Sequence, residues 1–504
     1  MKLLFINPAL RRDSEKKIFP LGLSSVMTYV KHKGYDFDLL DVDLHDHDDE
    51  YVENFIRTQQ YDVILYGTLV TQYKWVKWLT RTIKRLHPST KIVVGNSVGG
   101  SCPDVFMQNA PADILVIGEG EVTCVEVLDA LRDDRSLNDI LGIAYRDSSR
   151  KLIKNPRRPA CDINELPMLD WNVVNVSEYQ KRHQHSAYGL PKEEKATIFP
   201  LSSSRGCTFR CTFCHFVFWE DPFRHRSPEA IVEEVQRNIA QYGATYINFN
   251  DDLTLASLVQ AERLADTILA SGLQFHWNAS VRTDLFGKPK YSYEKRLEVA
   301  KKLRASGCKA LNFSLESANE EILEMMKKYV KKEYFAEQIQ ILREADIMPY
   351  CSVVFGYPQE TRETIQETFD LCLENRIYPS IGFLMPLPYT EMYEYAKTHG
   401  FITDEDAYLD SITERQDFCL NMTKMADEDI MQQIKENAIK LNQLLELNLN
   451  NASLIKTGGA RNHTALKGKL KSMDALDPEE IKRIESDFSF NYSQTTFDDR
   501  TEIG

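Results

Sequence analysis

Between residues 1 and 150 short apolar runs alternate with amphipathic stretches, and this alternation restricts the fold more than any other feature. KLLFI, DFDLLDV, DVILYG, KIVVG and DILVIG are too short for helices and are separated by patterns such as LGLSSVMTYVKHKG. Such runs read as buried parallel strands, and Gly34 stands where a helix would end. Parallel neighbours need right-handed crossovers, so the stretch is expected to form a doubly wound α/β sheet. Its ligand loops then follow the carboxyl ends of the strands. The loop after the first run, NPALRRDSEKKIFPLG, lacks GxGxxG, which argues against a dinucleotide site.

From 151 to 195 the rhythm breaks. KLIKNPRRPACDINELPMLDW and KRHQHSAYGLPKEEK read as a connection between domains. Between 196 and 390 it returns with ATIFPLSSS, TYINFND, LQFHWNAS, KALNFSLES, MPYCSVVFG and SIGFLMP. Six βα units suggest a partial barrel with its chemistry at the strands' carboxyl ends. Residues 391–504 read as mainly helical with a polar tail, where Asp477 and Pro478 mark a helix start.

The net charge of −14 argues against general nucleic-acid binding, which uses a basic face. No stretch resembles a membrane span of ~20 apolar residues. The apolar start stops at Asn7-Pro8 without a cleavage pattern, so it reads as a strand and not a signal peptide. The ten cysteines are scattered except for one cluster, which favours reduced thiols and a cytoplasmic setting.

That cluster is SRGCTFRCTFCHF, with Cys207, Cys211 and Cys214 and no matching fourth cysteine. Thiolates are soft ligands for zinc, copper(I) or iron–sulfur centres. Structural zinc wants four closed ligands, and His215 follows Cys214 too directly to converge easily with the three thiols. An iron–sulfur cubane held by three cysteines leaves one iron open to a substrate or cofactor.

CxxxCxΦC at the first strand of a βα domain resembles the signature of the radical S-adenosylmethionine (SAM) superfamily. The resemblance continues through RHRSPEAIVEEV, YINFNDDLT, HWNASVRTDL, SGCKALNFSLESANEEIL, VVFGYPQETRETI and PLPYTEMYEYAKTHG. It points to the subgroup with an N-terminal cobalamin-binding domain and covers roughly residues 1–400. The implied fold is a Rossmann-like cobalamin domain followed by a partial (β/α)6 barrel and a small helical C-terminal region.

The resemblance implies a 4Fe-4S cluster on Cys207, Cys211 and Cys214, with SAM on the open iron. It implies Phe213 against the adenine and Glu316 on the ribose. Asn250, Asp251 and Asp252 are implied for the methionine amino group, although an Asp pair after a strand also serves as a helix cap. Arg282 has two available partners, a cofactor carboxylate or Asp284. In the N-terminal domain the resemblance implies cobalamin contacts on Thr68, Thr71, Gly95, Asn96, Ser97, Gly118 and Glu119.

Asp43-Leu44-His45 imitates a cobalt-ligating DxH, but it follows the second strand where that motif follows the first. The expectation is therefore cobalamin without a histidine ligand, its lower face covered by Leu69 or Val70, and HDHDDE is read as a solvated loop. Trp75 and Trp78 read as packing residues. Ser314, Ala318, Gln359 and Tyr389 stand where the subgroup usually has glycine.

The implied activity is methylation of an unactivated carbon, or of phosphorus, in a small-molecule or natural-product substrate. An adenosyl radical would activate the substrate, methylcobalamin would donate the methyl group, and flavodoxin or ferredoxin would supply electrons. Two other readings are a radical SAM cyclase, ring-contracting enzyme or dehydratase, and a non-catalytic redox-cluster protein. A methylthiotransferase is disfavoured, because Cys102, Cys124 and Cys161 are too dispersed for a second cluster.

Overall fold

In the computed structural model the described residues are 1–10, 12, 14, 17–182, 187–190, 194–215, 220–412, 418–447, 449 and 454–455. The helix start at Asp477-Pro478 lies outside them. The chain divides into two compact units. One is Met1–His183, Cys214–Arg224 and Leu387–Thr413; the other is Gln184–Phe213, His225–Pro386 and Glu414–Gly504.

The first unit is built on strands β1 (Leu3–Asn7), β2 (Asp38–Asp41), β3 (Val63–Gly67), β4 (Lys91–Gly95), β5 (Ile114–Val116), β6 (Ile143–Arg146) and β7 (Leu152–Lys154). Their order is β2-β1-β3-β4-β5-β6-β7. The first five are parallel, and β6 and β7 add antiparallel at the edge. All five residues of β1 are buried, as a strand covered on both faces requires. The order reverses between β1 and β3, the switch point where open α/β sheets bind ligands.

Most of the stretch read as a connection between domains, up to residue 183, is part of this unit. Trp171 and Tyr179 are fully buried, and both rings pack on Phe19. Tyr179 donates to Asp41 (2.8 Å) and receives from Asn7 (2.9 Å), so it closes the β1–β2 ends. Pro- and charge-rich composition hid two anchoring aromatics, because one buried ring per turn leaves no periodic signal. Helix Glu405–Ser411 also belongs here. The buried Lys77 ammonium meets Asp406 at 2.9 Å and Asp410 at 2.7 Å.

The second unit carries six parallel strands in sequential order: β8 (Ile198–Leu201), β9 (Tyr246–Phe249), β10 (His276–Ser280), β11 (Cys308–Glu316), β12 (Met348–Phe355) and β13 (Ser380–Phe383). The partial barrel expected from the βα rhythm is therefore present. One parity of side chains packs outward on the helices: Phe199 on Tyr242, Phe313 on Phe335 and Phe355 on Phe369. The helices start and stop where local chemistry dictates. Ser227 caps Pro228–Tyr242 by accepting from the Ala230 amide, and left-handed Gly243 ends that helix. Only glycine fits at 307, where φ is +100° and a Cβ would lie 2.1 Å from the Phe275 carbonyl oxygen.

Candidate cluster and cofactor site

The three-cysteine loop follows β8, at the carboxyl end of the half-barrel. Thr212 anchors it: its amide donates to the Met326 carbonyl (3.1 Å) and its hydroxyl to that of Met325 (2.9 Å). Cys211 is buried, and Cys207 and Cys214 are partly exposed. Half-exposed Phe213 stands edge-on to Tyr357 at 6.1 Å, an orientation that leaves one ring face uncovered by that neighbour. His215 pairs through Nδ1 with the Pro388 carbonyl (2.9 Å). That contact points Nδ1 of the ring at backbone, and the direct succession of Cys214 and His215 works against a Cys3His set.

Glu316 reaches the mouth through a backbone device. The β11–β12 register shifts between Ser314 and Glu316, and Glu316 has φ +67°. A bulge plus a left-handed residue re-aims the side chain that ends a strand. Its carboxylate receives a bond from Lys328 (3.1 Å), and both groups are buried. Burial works against the Lys328 charge, but Glu316 and the Cys211 thiol outweigh it and hold its pKa above the ordinary lysine value. Lys328 is a site residue that sequence reasoning missed. It is one of four lysines in KKYVKK, and only tertiary structure turns it inward, between Lys327 at φ +51° and Tyr329 at φ +50°.

Arg282 takes the structural alternative: Nε donates to Asp284 (2.8 Å), another donor meets the Lys328 carbonyl, and the guanidinium lies 3.7 Å from the Phe209 ring centroid. Burial pushes the Cys207 and Cys211 thiols up, while Lys328 and Arg282 pull the other way. This cationic lining suits a loop of thiolates and a ligand bearing a carboxylate.

Asp251 is corrected. Its carboxylate accepts from the amides of Ser203 (2.9 Å) and Ser204 (3.1 Å) and from the Ser203 hydroxyl (2.5 Å). It staples the turn after β8 and has little capacity left for a ligand amine. Asn250 is partly exposed and accepts from Asn248 (2.9 Å). Asp252 is exposed, and its charge helps raise the Cys207 thiol, which puts it beside the cysteine loop.

Glu360, in FGYPQET, is buried where the chain turns at Gly356. Desolvation lifts its pKa to about 7, although Thr364 and the Gly356 amide donate to it. A carboxyl raised above its unfolded value contributes stability below that value and loses it as pH rises through the folded one. Glu360→Gln should therefore melt with the native protein at pH 4.5 and above it by pH 8. The gap is on the order of 2–3 kcal/mol, read from paired thermal melts across pH.

In the first unit the loops after β3, β4 and β5 hold the expected cobalamin residues, with corrections. Thr68 and Ser97 are buried, and Ser97 Oγ accepts from the Val70 amide (2.7 Å). They shape the loop from beneath. Val70 is buried, whereas Leu69 is 40% exposed and is the apolar side chain presented there. Thr71 is partly exposed. The Glu119 carboxylate is committed: Arg224 Nη1 meets both oxygens at 3.0 Å and the Cys161 amide donates at 2.9 Å. Gly95, exposed Asn96 at φ +56° and Gly118 at φ +86° leave bare backbone at the β4 and β5 ends. A Cβ at Gly67 would sit 2.9 Å from the Gly95 carbonyl carbon, so side chains are excluded between the ends of β3 and β4.

His45, after β2, is exposed, and Asp43 is buried 3.8 Å from Lys17. Trp75 donates to Asp49 (2.8 Å) and lies 5.7 Å from Trp78. Tyr389, at one of the positions where glycine is usual, has φ +73° and donates to Glu220, which Arg157 holds at 2.7 Å.

The donor sets fit the groups that the motifs imply. Three soft thiols with adjacent cations suit an iron–sulfur cluster. A glycine-lined ledge at the β3, β4 and β5 ends suits a bulky cofactor approached by backbone. A half-barrel with a three-cysteine loop, in one chain with a doubly wound cofactor sheet, defines a class. Family comparison agrees: the radical SAM superfamily matches residues 201–372 and the B12 binding domain matches residues 9–128. The chain belongs to the radical SAM enzymes that carry an N-terminal B12-binding domain.

Among relatives, an uncharacterized methyltransferase of Pyrococcus horikoshii is 26% identical over 409 residues, 80% of this chain and 84% of the relative. The cytidylyl-2-hydroxyethylphosphonate methyltransferase of Streptomyces wedmorensis is 24% identical over 458 residues, 81% of this chain and 83% of the relative. The solved structure of the radical SAM methyltransferase TsrM from Kitasatospora setae, with cobalamin and a [4Fe-4S] cluster bound, has a TM-score of 0.63. It is 17% identical, covering 80% of this chain and 78% of that one. Among the described residues no helix is long and apolar enough to cross a membrane.

Proposed function

We propose that this chain is a cobalamin-dependent radical SAM methyltransferase acting on an unactivated carbon, or on phosphorus, of a small-molecule substrate. The observation that carries the reading is the three-thiol loop beside the re-aimed Glu316 of a half-barrel, in a chain that also has a glycine-lined cobalamin-type sheet. When bound, the cluster supplies the electron that cleaves SAM, and cobalamin carries the methyl group.

Cys207, Cys211 and Cys214 hold the cluster. Phe213 packs on the adenine, Glu316 binds the ribose hydroxyls, and Lys328 neutralises the methionine carboxylate, its backbone held by Arg282. Asn250 and Asp252 take the methionine amine, with Asp251 holding their turn in place. Thr71, Gly95, Asn96 and Gly118 would hold cobalamin, Thr68, Ser97 and Glu119 would support them, and Leu69 would lie against it in place of a histidine ligand. Flavodoxin or ferredoxin in the cytoplasm is the electron source.

The test is anaerobic purification with assays for iron, sulfide and corrinoid, followed by turnover with methyl-labelled SAM and a metabolite extract. Labelled product together with 5′-deoxyadenosine is expected. Formation of 5′-deoxyadenosine by corrinoid-loaded enzyme with no labelled product would sink methyl transfer in favour of the cyclase-type reading.

A further inference from the structure

The inner face of the half-barrel has a chemical character of its own. Phe199, Trp277, Phe313 and Phe355 point outward, so residues of the other parity face inward. Strand pairing puts Asn248 beside Asn278, Ser280 beside Asn312, and Ser314 beside Ser352. Outward neighbours such as Phe313, Leu315 and Cys351 are buried, whereas Ser280, Asn312, Ser314 and Ser352 are each partly exposed, as a face lining an open concavity requires.

Two features mark this face as more than packing. Asn278 is fully buried, yet among the described residues neither its amide nitrogen nor its oxygen has a hydrogen-bond partner, and the Asn312 oxygen is likewise buried without one. An unpaired buried amide costs stability, and leucine of nearly the same shape would serve a purely structural floor better. Ser314, at a position where the subgroup usually has glycine, forms a hydroxyl pair with Ser352 at 2.6 Å. These inward groups are amides and hydroxyls without charge. The nearest charges described above, Glu316, Lys328 and Arg282, lie at the cysteine loop.

Resting on the methyltransferase reading and deepening it, we propose that Asn312, Ser314 and Ser352, with the buried Asn278 amide beneath them, form the recognition surface for the substrate's non-reacting part. That part is a neutral hydrogen-bonding group, a sugar ring or an amide, and not a hydrocarbon.

Two measurements decide it. In substrate-free protein, Asn278→Leu should raise the melting transition of the half-barrel by about 2–4 °C, the shift expected when roughly one unsatisfied polar group is removed. A lowered transition would show that the amide serves the fold and would overturn the proposal. For recognition, the holoenzyme is given methyl-labelled SAM with the hexane-soluble and the water-soluble fractions of a cell extract. Label should enter the water-soluble fraction. Asn312→Leu and Ser352→Ala should then each raise KM for that acceptor by about threefold to tenfold, the worth of one hydrogen bond, with kcat changed less. Label in the hexane fraction, or KM unchanged in both variants, overturns the proposal. If 5′-deoxyadenosine forms and neither fraction is labelled, the methyl-transfer reading fails instead, and the melting result alone judges the polar face.

Discussion

Alanine at Cys207, Cys211 or Cys214 is expected to remove the cluster and abolish SAM cleavage, with iron and sulfide near zero in each purified variant. His215→Ala is expected to retain both metal content and cleavage. The asymmetry follows from the ligand chemistry. A cubane held by three thiolates has no spare protein ligand, so loss of one opens a second iron and exposes the cluster. His215 gives its ring nitrogen to the Pro388 carbonyl, a contact worth roughly 0.5–1.5 kcal/mol of fold stability. The deciding measurements are iron, sulfide and 5′-deoxyadenosine on anaerobically reconstituted protein. Cluster loss in the histidine variant would restore a Cys3His ligand set.

Glu316→Ala should be the most damaging change in the half-barrel away from the cysteines. It leaves the buried Lys328 ammonium without its carboxylate at 3.1 Å, and breaking a buried pair by removing one partner costs about 3–5 kcal/mol. Glu316→Gln combined with Lys328→Met removes both charges and should recover most of that stability, because isosteric neutral pairs often match buried ion pairs. It should not recover SAM cleavage, since the ribose and carboxylate contacts are lost together. Melting curves and 5′-deoxyadenosine assays on the two variants separate the roles. Cleavage restored in the double variant would make the pair a purely structural one.

Much of the fold was legible in advance because burial leaves a periodic trace. All eleven apolar runs first read as strands contain one, since each strand buries at least one face and marks it with apolar side chains. The cluster loop was legible because three cysteines at such spacings have few other uses. Other parts left no such trace. Trp171 and Tyr179 anchor a Pro-rich stretch one ring at a time, and helix Glu405–Ser411 joins the first unit through Lys77, more than 300 residues earlier. Glu119 and Asp251 sit where cofactor ligands were expected, yet their oxygens are taken by Arg224 and the Cys161 amide, and by Ser203 and Ser204. Spacing puts a carboxylate at the end of a strand but does not say which backbone amides reach it first.

The sequence by itself determined the two βα architectures, the three-thiol loop and the class of chemistry, because each rests on residue type and local spacing. Only the tertiary structure decided which polar groups are free to act. It turned Lys328 inward between two left-handed residues, re-aimed Glu316 through a bulge, spent Asp251 and Glu119 on the scaffold, and left the Asn278 amide without a partner among the described residues. The physical reason is that strands and helices are set by neighbours within a few residues. A hydrogen bond is set by whichever donor or acceptor, from anywhere in the chain, folding brings within about 3 Å.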